Sequence, residues 1–252
     1  MKLQVLIIGY GSAGQRYYNI LKKIKKIDKI FIYSRRKNNE KYFLSTYDDI
    51  KSLKLDLIII ASETSDHYKQ INFIEKYFKD IKILVEKPLY TQKLNNIKFK
   101  NLFFVAYNLR FHPIVKKIKN SLKNKEIWSV DIICTSYLPN WRTNQSYKKS
   151  YSSQKKYGGG ALLDLSHEFD YASYLFGDFK IINSINKKIS NLDLDVEDFV
   201  SVFGQFKNKA YLNLKLDIFS KIHRREVYIE GKNISIKGDF INNNIIIINN
   251  NK

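Results

Sequence analysis

Residues 5–14 read Val5-Leu6-Ile7-Ile8-Gly9-Tyr10-Gly11-Ser12-Ala13-Gly14, an apolar run followed by a glycine-rich turn. The run predicts a buried strand, and the segment after the turn predicts an amphipathic helix. Gly9 permits a tight turn, Gly11 lets the backbone approach a pyrophosphate, and Gly14 allows close helix–strand packing. The helix N-terminus, with Ser12 and Ala13, supplies N–H groups and a partial positive charge to phosphates. The stretch therefore predicts a dinucleotide-binding turn, with a plain structural turn as the alternative.

The first part of the chain alternates short apolar runs with amphipathic stretches. This pattern predicts strands at residues 3–8, 29–34, 57–61, 81–85 and 102–106, and helices at residues 13–25 and 67–78. Buried, non-alternating strands separated by helices are typical of a parallel sheet with both faces covered. We therefore expect an α/β domain with a doubly wound, Rossmann-type parallel sheet over residues 1–112.

The rhythm changes after Pro113. Leu212, Leu214 and Leu216 alternate with polar residues, which is the period of a strand with one wet face. Further strands are predicted at residues 127–136, 181–189, 197–206 and 226–230, with one helix at 161–176 and a hairpin turn at 207–209. The tail, residues 242–252, is either a last edge strand or frayed. We expect an α+β domain with a largely antiparallel sheet over residues 113–252.

Composition excludes several classes of protein. Cys134 is the only cysteine, which excludes disulfide architecture and cysteine-based metal sites, and no metal site is predicted. No apolar run approaches the roughly 20 residues of a membrane span, so a soluble, cytoplasmic protein is expected. The formal net charge is +20, but the lysines are spread along the whole chain, which disfavours nucleic-acid binding. A positive field that gathers phosphorylated or acidic small molecules is favoured.

The second predicted strand ends at Ser34, where an acidic residue would bind the ribose 2′-hydroxyl in an NAD site. The sequence there reads Ser34-Arg35-Arg36. A hydroxyl followed by two guanidinium groups suits a 2′-phosphate, because arginine forks onto phosphate oxygens. NADP is therefore favoured as the cofactor, with NAD as the alternative and two solvated arginines as the simplest reading.

Lys87 lies in the tripeptide Glu86-Lys87-Pro88, directly after the predicted strand at residues 81–85. A lysine at the carboxyl end of a strand points into the crevice where open α/β sheets bind ligands. Pro88 restricts the turn that presents it. The alternative is a strand-ending turn with a solvated lysine.

Three glycines, Gly158, Gly159 and Gly160, open the predicted helix of the second half and would let another molecule come close. One face of that helix is the predicted core stripe, formed by Leu165, Phe169, Ala172 and Phe176. The opposite face is polar and consists of Asp164, His167, Tyr171 and Tyr174. A carboxylate one turn from an imidazole can orient a histidine base, so His167 is predicted to be catalytic. A capping or surface role is the alternative.

The glycine turn, Glu86-Lys87-Pro88 and the glycine-led helix, in this order, resemble the Gfo/Idh/MocA oxidoreductases. Segments at residues 61–67, 106–113 and 196–202 match as well, and the resemblance spans about residues 3–240. The segment at residues 137–152 resembles a branch associated with bacterial surface-sugar and sugar-nucleotide pathways.

The resemblance implies hydride transfer between a nicotinamide and a hydroxyl or carbonyl group of a sugar or sugar nucleotide. Lys87 would hydrogen-bond the reacting oxygen and stabilise a developing alkoxide, His167 would exchange the proton, and Asp164 would orient His167. Further implied cofactor contacts are Ser62, Glu63, His67 and Glu86. Implied substrate contacts are Tyr107, Arg110, Trp141 and Tyr151. A homodimer formed through the second domain's sheet is also implied.

The chain departs from the family's pattern in several places. Two residues separate Asp164 from His167 where the family usually has three, so Glu168 or Asp170 could share the orienting role. Glu63 replaces the usual proline. The chain is short for the family, with helix lost over residues 89–101. A non-catalytic dinucleotide-binding sensor or regulator remains the rival, and the presence of both Lys87 and His167 argues against it.

Overall fold

The computed structural model describes residues 2–35, 40–94, 98–142 and 145–249. The chain divides into two compact units, Met1–Ala106 and Tyr107–Lys252. The break between the units falls before the position at which the sequence pattern changes, after residue 112. Among the described residues, no helix combines the length and the apolarity that are needed to cross a membrane.

The first unit is built on a six-stranded parallel sheet with the order β3-β2-β1-β4-β5-β6, which confirms the predicted doubly wound architecture. The strands are β1 Leu3–Ile8, β2 Ile27–Tyr33, β3 Phe43–Leu44, β4 Leu57–Ile60, β5 Lys82–Val85 and β6 Leu102–Val105. The helices are α1 Ser12–Leu21, α2 Tyr47–Lys51 and α3 Thr64–Tyr77. The strand order reverses beside β1, which is the position where open α/β sheets bind ligands.

Both faces of this sheet are covered because consecutive residues of β1 enter different cores. Leu6 and Ile8 pack with residues of α2 and α3 on one face. Val5 and Ile7 pack with Leu21 of α1 on the other face. Full burial of each such side chain contributes about 1.5–3 kcal/mol, so the continuous apolar run of β1 specifies a central strand.

The second unit is built on a seven-stranded sheet with the order β13-β12-β11-β7-β10-β9-β8. The strands are β7 Ile127–Tyr137, β8 Phe179–Lys187, β9 Phe199–Phe206, β10 Tyr211–Asp217, β11 Phe219–Gly231, β12 Ile234–Asp239 and β13 Asn244–Asn249. Only β7 and β10 pair in parallel, which confirms the largely antiparallel prediction. The hairpin between β9 and β10 turns at Lys209, which has a φ of 72° without being glycine.

One helix of the second unit, α4 Pro113–Ser121, was absent from the sequence-based prediction. Its start carries a recognisable signal: Pro113 occupies the first turn, and the His112 side chain accepts a hydrogen bond from the Ile114 N–H. Ile114 and Ile118 of α4 are buried in the core of this unit.

The predicted single helix at residues 161–176 is wrong, because the chain forms two helices, α5 Ala161–Asp164 and α6 His167–Phe176. Leu165 leaves helical geometry with a φ of −100° and a ψ of 25°. The break invalidates the helical wheel that placed Asp164 and Tyr171 together on a polar face. Both residues are buried, and Tyr171 is completely inaccessible to solvent.

Candidate active site

The glycine turn after β1 satisfies the steric requirements that the sequence suggested. Gly9 has a φ of 94°, and a Cβ there would lie 2.6 Å from the Ser62 nitrogen. A Cβ on Gly14 would lie 2.1 Å from the Gly9 carbonyl oxygen. These two glycines are therefore required by the packing of the turn against its own chain.

Gly11 differs from its neighbours because a Cβ there would meet no atom within 4 Å. Gly11 also forms the N-cap of α1, directly before Ser12. The first N–H groups of a helix have no partner within the helix, and they attract anions. Open space above backbone donors is what a pyrophosphate needs, so the residues of this turn fit the phosphates of a nicotinamide dinucleotide.

The turn that carries Lys87 is fastened to α1. The Tyr17 hydroxyl donates a hydrogen bond of 2.7 Å to Glu86 Oε1, and Arg16 lies 3.5 Å from the same oxygen. The Lys87 N–H donates to Glu86 Oε2 at 3.3 Å. Burial and the Glu86 carboxylate raise the pKa of Tyr17 well above its usual range. Glu86 thus joins α1 to the end of β5, a contact that only the tertiary structure shows.

His67 is completely buried in α3. Its Nδ1 lies 3.2 Å from the Pro88 carbonyl oxygen and 3.1 Å from that of Leu89, and its Nε2 lies 3.3 Å from the Ser62 carbonyl oxygen. Burial lowers the pKa of this imidazole. These contacts point to a role in holding the Lys87 turn against the loop after β4, rather than to direct cofactor contact. Ser62 itself donates to Gln70 Oε1 at 2.6 Å.

Arg35, one of the residues predicted to bind the ribose, has partners that the sequence did not suggest. Ser34 follows β2 directly, and the Arg35 guanidinium lies 2.9 Å from Glu63 and 3.1 Å from Asp66. Glu63 precedes α3, and Asp66 lies in its first turn. Arg36 lies outside the described residues.

In the second unit, a tyrosine and a carboxylate form a close pair. The Tyr151 hydroxyl donates a hydrogen bond of 2.7 Å to Asp164 Oδ1 at the end of α5. Burial and the Asp164 carboxylate raise the pKa of Tyr151 well above its usual range. The Arg142 guanidinium lies 4.8 Å from the centre of the Tyr151 ring. Tyr151 is thus placed to hold Asp164, in addition to any contact it makes with substrate.

The glycines before α5 serve the chain's own packing. A Cβ on Gly159 would lie 2.4 Å from the Tyr151 carbonyl oxygen, and one on Gly160 would lie 2.3 Å from Glu197 Oε1. The expectation that these glycines admit another molecule is corrected: the close neighbours are Tyr151 and Glu197. Glu197 accepts the Leu162 N–H at 3.0 Å, and its pKa is raised by burial.

His167 begins α6, and its ring meets the Tyr107 ring edge-on, with 5.6 Å between centroids and 82° between planes. Burial raises the pKa of Tyr107, and a hydrogen bond with the Ser166 side chain opposes this rise. The structure therefore pairs predicted site residues in two places within this unit, Tyr107 with His167 and Tyr151 with Asp164, although neither pair was itself predicted.

The other two acidic residues of α6 are engaged by arginines. Glu168 is completely buried and accepts hydrogen bonds of 2.6 and 3.1 Å from Arg225 of β11. Asp170 accepts hydrogen bonds of 2.8 and 2.5 Å from Arg110. Both carboxylates therefore have structural partners, which weakens the alternative that either one orients His167.

The remaining predicted substrate contacts lie in the same unit. The Trp141 indole N–H donates to Ser136 Oγ at 3.1 Å. Arg110 keeps 44% of its side chain exposed despite its pairing with Asp170. Within the described ranges, no group of three or more His, Cys, Asp or Glu side chains is arranged to hold a metal ion.

Two family models match this chain. Residues 3–99 match the model described as "Oxidoreductase family, NAD-binding Rossmann fold", and residues 115–237 match the model described as "GFO/IDH/MocA C-terminal domain". The chain belongs to the Gfo/Idh/MocA family.

Individual relatives in the Gfo/Idh/MocA family include sugar dehydrogenases. The chain is 23% identical to glucose-6-phosphate 3-dehydrogenase of Bacillus subtilis over 82% of its own length and 65% of that protein. It is 31% identical to levoglucosan dehydrogenase of Pseudarthrobacter phenanthrenivorans over 41% of its own length and 29% of that protein. The chain thus spans less than two thirds of these curated relatives.

Solved structures share the fold of this Gfo/Idh/MocA chain. The WlbA dehydrogenase of Bordetella pertussis, solved with NADH and UDP-GlcNAcA, matches with a TM-score of 0.81 and 13% identity. The match covers 100% of this chain and 78% of WlbA.

Two departures from the family pattern coincide with features of the structure. Glu63 pairs with Arg35, and the shortened spacing before His167 coincides with the break between α5 and α6.

Proposed function

We propose that this protein is an oxidoreductase that transfers a hydride between a nicotinamide dinucleotide and a hydroxyl or carbonyl group of a sugar or sugar nucleotide. The observation that carries the proposal is the open backbone at Gly11, on the helix to which Glu86 fastens the Lys87 turn. Membership of the Gfo/Idh/MocA family and the sugar dehydrogenases among the relatives support it.

The first unit supplies the cofactor-binding groups in this proposal. Gly9, Gly11 and Gly14 shape the turn, and the N–H groups of Ser12 and Ala13 bind the phosphates. When bound, the nicotinamide ring supplies or accepts a hydride. Lys87 donates a hydrogen bond to the reacting oxygen, and its positive charge stabilises that oxygen as negative charge develops.

The second unit supplies the proton-transfer group. His167 accepts the proton of the substrate hydroxyl in oxidation and returns it in reduction, a role typically worth about 10²–10⁴-fold in rate. Tyr151 holds the Asp164 carboxylate by a hydrogen bond. Asp164 in turn positions the His167 imidazole, because a short backbone segment joins the end of α5 to the start of α6. Tyr107, Arg110 and Trp141 are proposed to contact the sugar.

A second copy of the chain is the proposed partner of the second unit's sheet. The sheet face opposite the helices exposes Phe203 and Tyr211, whose rings stack at 5.6 Å. Ile246 and Ile248 of β13 are also exposed there, since the alternating residues Ile245 and Ile247 pack on the core. Exposed apolar patches mark interaction surfaces, so sedimentation should show a dimer that Phe203→Lys dissociates.

Binding and turnover test the enzymatic proposal separately. Reduced nicotinamide dinucleotide should change its fluorescence when it binds the protein. The oxidised cofactor should then be reduced in the presence of a substrate drawn from sugar phosphates, anhydrosugars and nucleotide sugars. Lys87→Ala and His167→Ala should each abolish turnover and leave cofactor binding nearly unchanged. Full activity of either variant would contradict the assigned roles, and binding without turnover on any candidate would favour a sensor.

A further inference from the structure

The ion pairs of Arg35 bridge the place where the dinucleotide is proposed to bind. Arg35 follows β2, whereas Glu63 and Asp66 follow β4. In the sheet order, β1 lies between β2 and β4, so the ends of these two strands flank the glycine turn after β1. Arg35 therefore reaches across the mouth of that turn to the two carboxylates, at 2.9 and 3.1 Å.

This placement changes the charge expected beside the adenosine ribose. In doubly wound sheets, the residues after the second strand lie at the ribose, where a carboxylate accepts the 2′-hydroxyl and an arginine accommodates a 2′-phosphate. The two residues that directly follow β2 are Ser34 and Arg35, so neither supplies the carboxylate that would accept the 2′-hydroxyl. Glu63 and Asp66, which follow β4, instead bring two carboxylates to the guanidinium of Arg35.

We propose that Glu63 and Asp66 make this protein select NAD over NADP, by holding Arg35 and by presenting negative charge to the ribose. This inference rests on the proposed dinucleotide-binding function. A 2′-phosphate would have to displace two charge-assisted hydrogen bonds from Arg35 while approaching two carboxylates. The 2′-hydroxyl of NAD brings no charge and can donate a hydrogen bond to a carboxylate.

The proposal reverses the cofactor preference expected from Ser34-Arg35-Arg36 alone. Arginine next to a strand end indicates a phosphate site only when its guanidinium is available for the phosphate. Here the side chain of Arg35 is 72% exposed, yet it is oriented towards Glu63 and Asp66. Solvent exposure of the guanidinium is therefore not sufficient for it to bind a 2′-phosphate.

Direct titration with NADH and with NADPH, followed by fluorescence, tests the proposal without any substrate. The wild-type protein should bind NADH more tightly by about tenfold or more, which corresponds to about 1.4 kcal/mol. The double variant Glu63→Gln/Asp66→Asn removes both of these ion pairs and both carboxylate charges, so the affinity ratio should shift towards NADPH by about tenfold or more. Arg36 is retained in every variant, so its contribution does not affect the shift.

Asp28→Asn is the matched control, because it removes a carboxylate near the start of β2, whereas Arg35 follows the end of that strand. That position lies about 17 Å from Tyr33, the last residue of β2, at ~3.3 Å per residue. The control should leave the affinity ratio unchanged. The single variants Glu63→Gln and Asp66→Asn each keep one ion pair and should give intermediate ratios, which provides the same test if the double variant does not fold.

The outcomes separate the two proposals. Tighter wild-type binding of NADPH, or an unchanged ratio in the Glu63 and Asp66 variants, would overturn the selection role and leave the proposed function standing. An equal shift in Asp28→Asn would also overturn it, because overall charge would then explain the effect. Failure of the wild-type protein to bind either cofactor would overturn the proposed function and the inference that rests on it.

Discussion

The Tyr17 hydroxyl donates a hydrogen bond of 2.7 Å to the Glu86 carboxylate and thereby joins α1 to the turn that carries Lys87. Tyr17 lies five residues after Ser12, the first residue of that helix, and Glu86 follows β5. One contact therefore links the helix proposed to bind phosphates to the residue proposed to bind the reacting oxygen. Four predictions test this link and other contacts within the two units.

Tyr17→Phe should reduce the stability of the first unit. The hydroxyl donates a hydrogen bond to the Glu86 carboxylate, whose side chain is only 15% exposed. Hydrogen bonds to charged groups contribute about 1.5–3 kcal/mol to the free energy of unfolding. We expect a loss near the lower end of this range, measured by urea denaturation, together with a lower turnover number. Tyr68→Phe, which removes a hydroxyl from an exposed tyrosine of α3, is the matched control. Equal stability of both variants would show that the bond to Glu86 contributes nothing.

Gly11→Ala and Gly14→Ala should have opposite effects. A methyl group on Gly11 meets no atom of the protein within 4 Å, so the variant should fold normally and lose about tenfold or more in dinucleotide affinity. A methyl group on Gly14 would lie 2.1 Å from the Gly9 carbonyl oxygen, so this variant should be destabilised by about 1–3 kcal/mol. Thermal unfolding and NADH titration measure the two effects. Normal NADH affinity in Gly11→Ala would contradict the assigned phosphate position.

The buried pair of Glu168 and Arg225 should be costly to break from either side. Glu168 has no exposed side-chain surface and receives two hydrogen bonds from Arg225. Arg225→Met leaves the carboxylate buried without this partner and should cost about 3–5 kcal/mol in the free energy of unfolding. The double variant Glu168→Leu/Arg225→Met should recover much of that loss, because both charges are then removed. A double variant as unstable as the single one would mean that packing around the arginine, and not its charge, supports α6.

Stability should depend on the protonation of His67. Burial lowers its folded-state pKa below the ordinary value of 6.5, so the unfolded chain binds the proton more readily. The stabilisation from the neutral imidazole is therefore present above pH 6.5 and is lost as the pH falls below it. Denaturation at several pH values should show the stability difference between wild type and His67→Gln shrinking as the solution is acidified. Parallel curves would contradict this, and His223→Gln at an exposed position is the control.

The sequence predicted the local elements of the site well where a single segment carries the signal. The apolar run before Gly9 and the two glycines that follow it suffice to predict a strand, a turn and a helix, because each depends on neighbouring residues. One prediction failed at a helix break, and one helix was missed altogether. The helix break at Leu165 and the start of α4 after His112 depend on packing and on a capping contact that residue periodicity does not report.

The proposed cofactor preference depends on contacts that lie outside the local sequence segment. Ser34-Arg35-Arg36 favours a 2′-phosphate when it is considered alone, yet Arg35 meets Glu63 and Asp66, which lie 28 and 31 residues away in the chain. No spacing rule connects these positions, because they meet only through the order of the strands in the sheet.

The sequence by itself determined the parallel sheet, the glycine turn after β1 and the position of Lys87 at a strand end, since periodicity and backbone sterics act between near neighbours. Only the tertiary structure decided which charges meet. It placed Glu86 on Tyr17, Glu168 on Arg225 and two carboxylates on Arg35. Electrostatic interactions depend on distance in space and on burial, and strand order brings together residues that are remote along the chain.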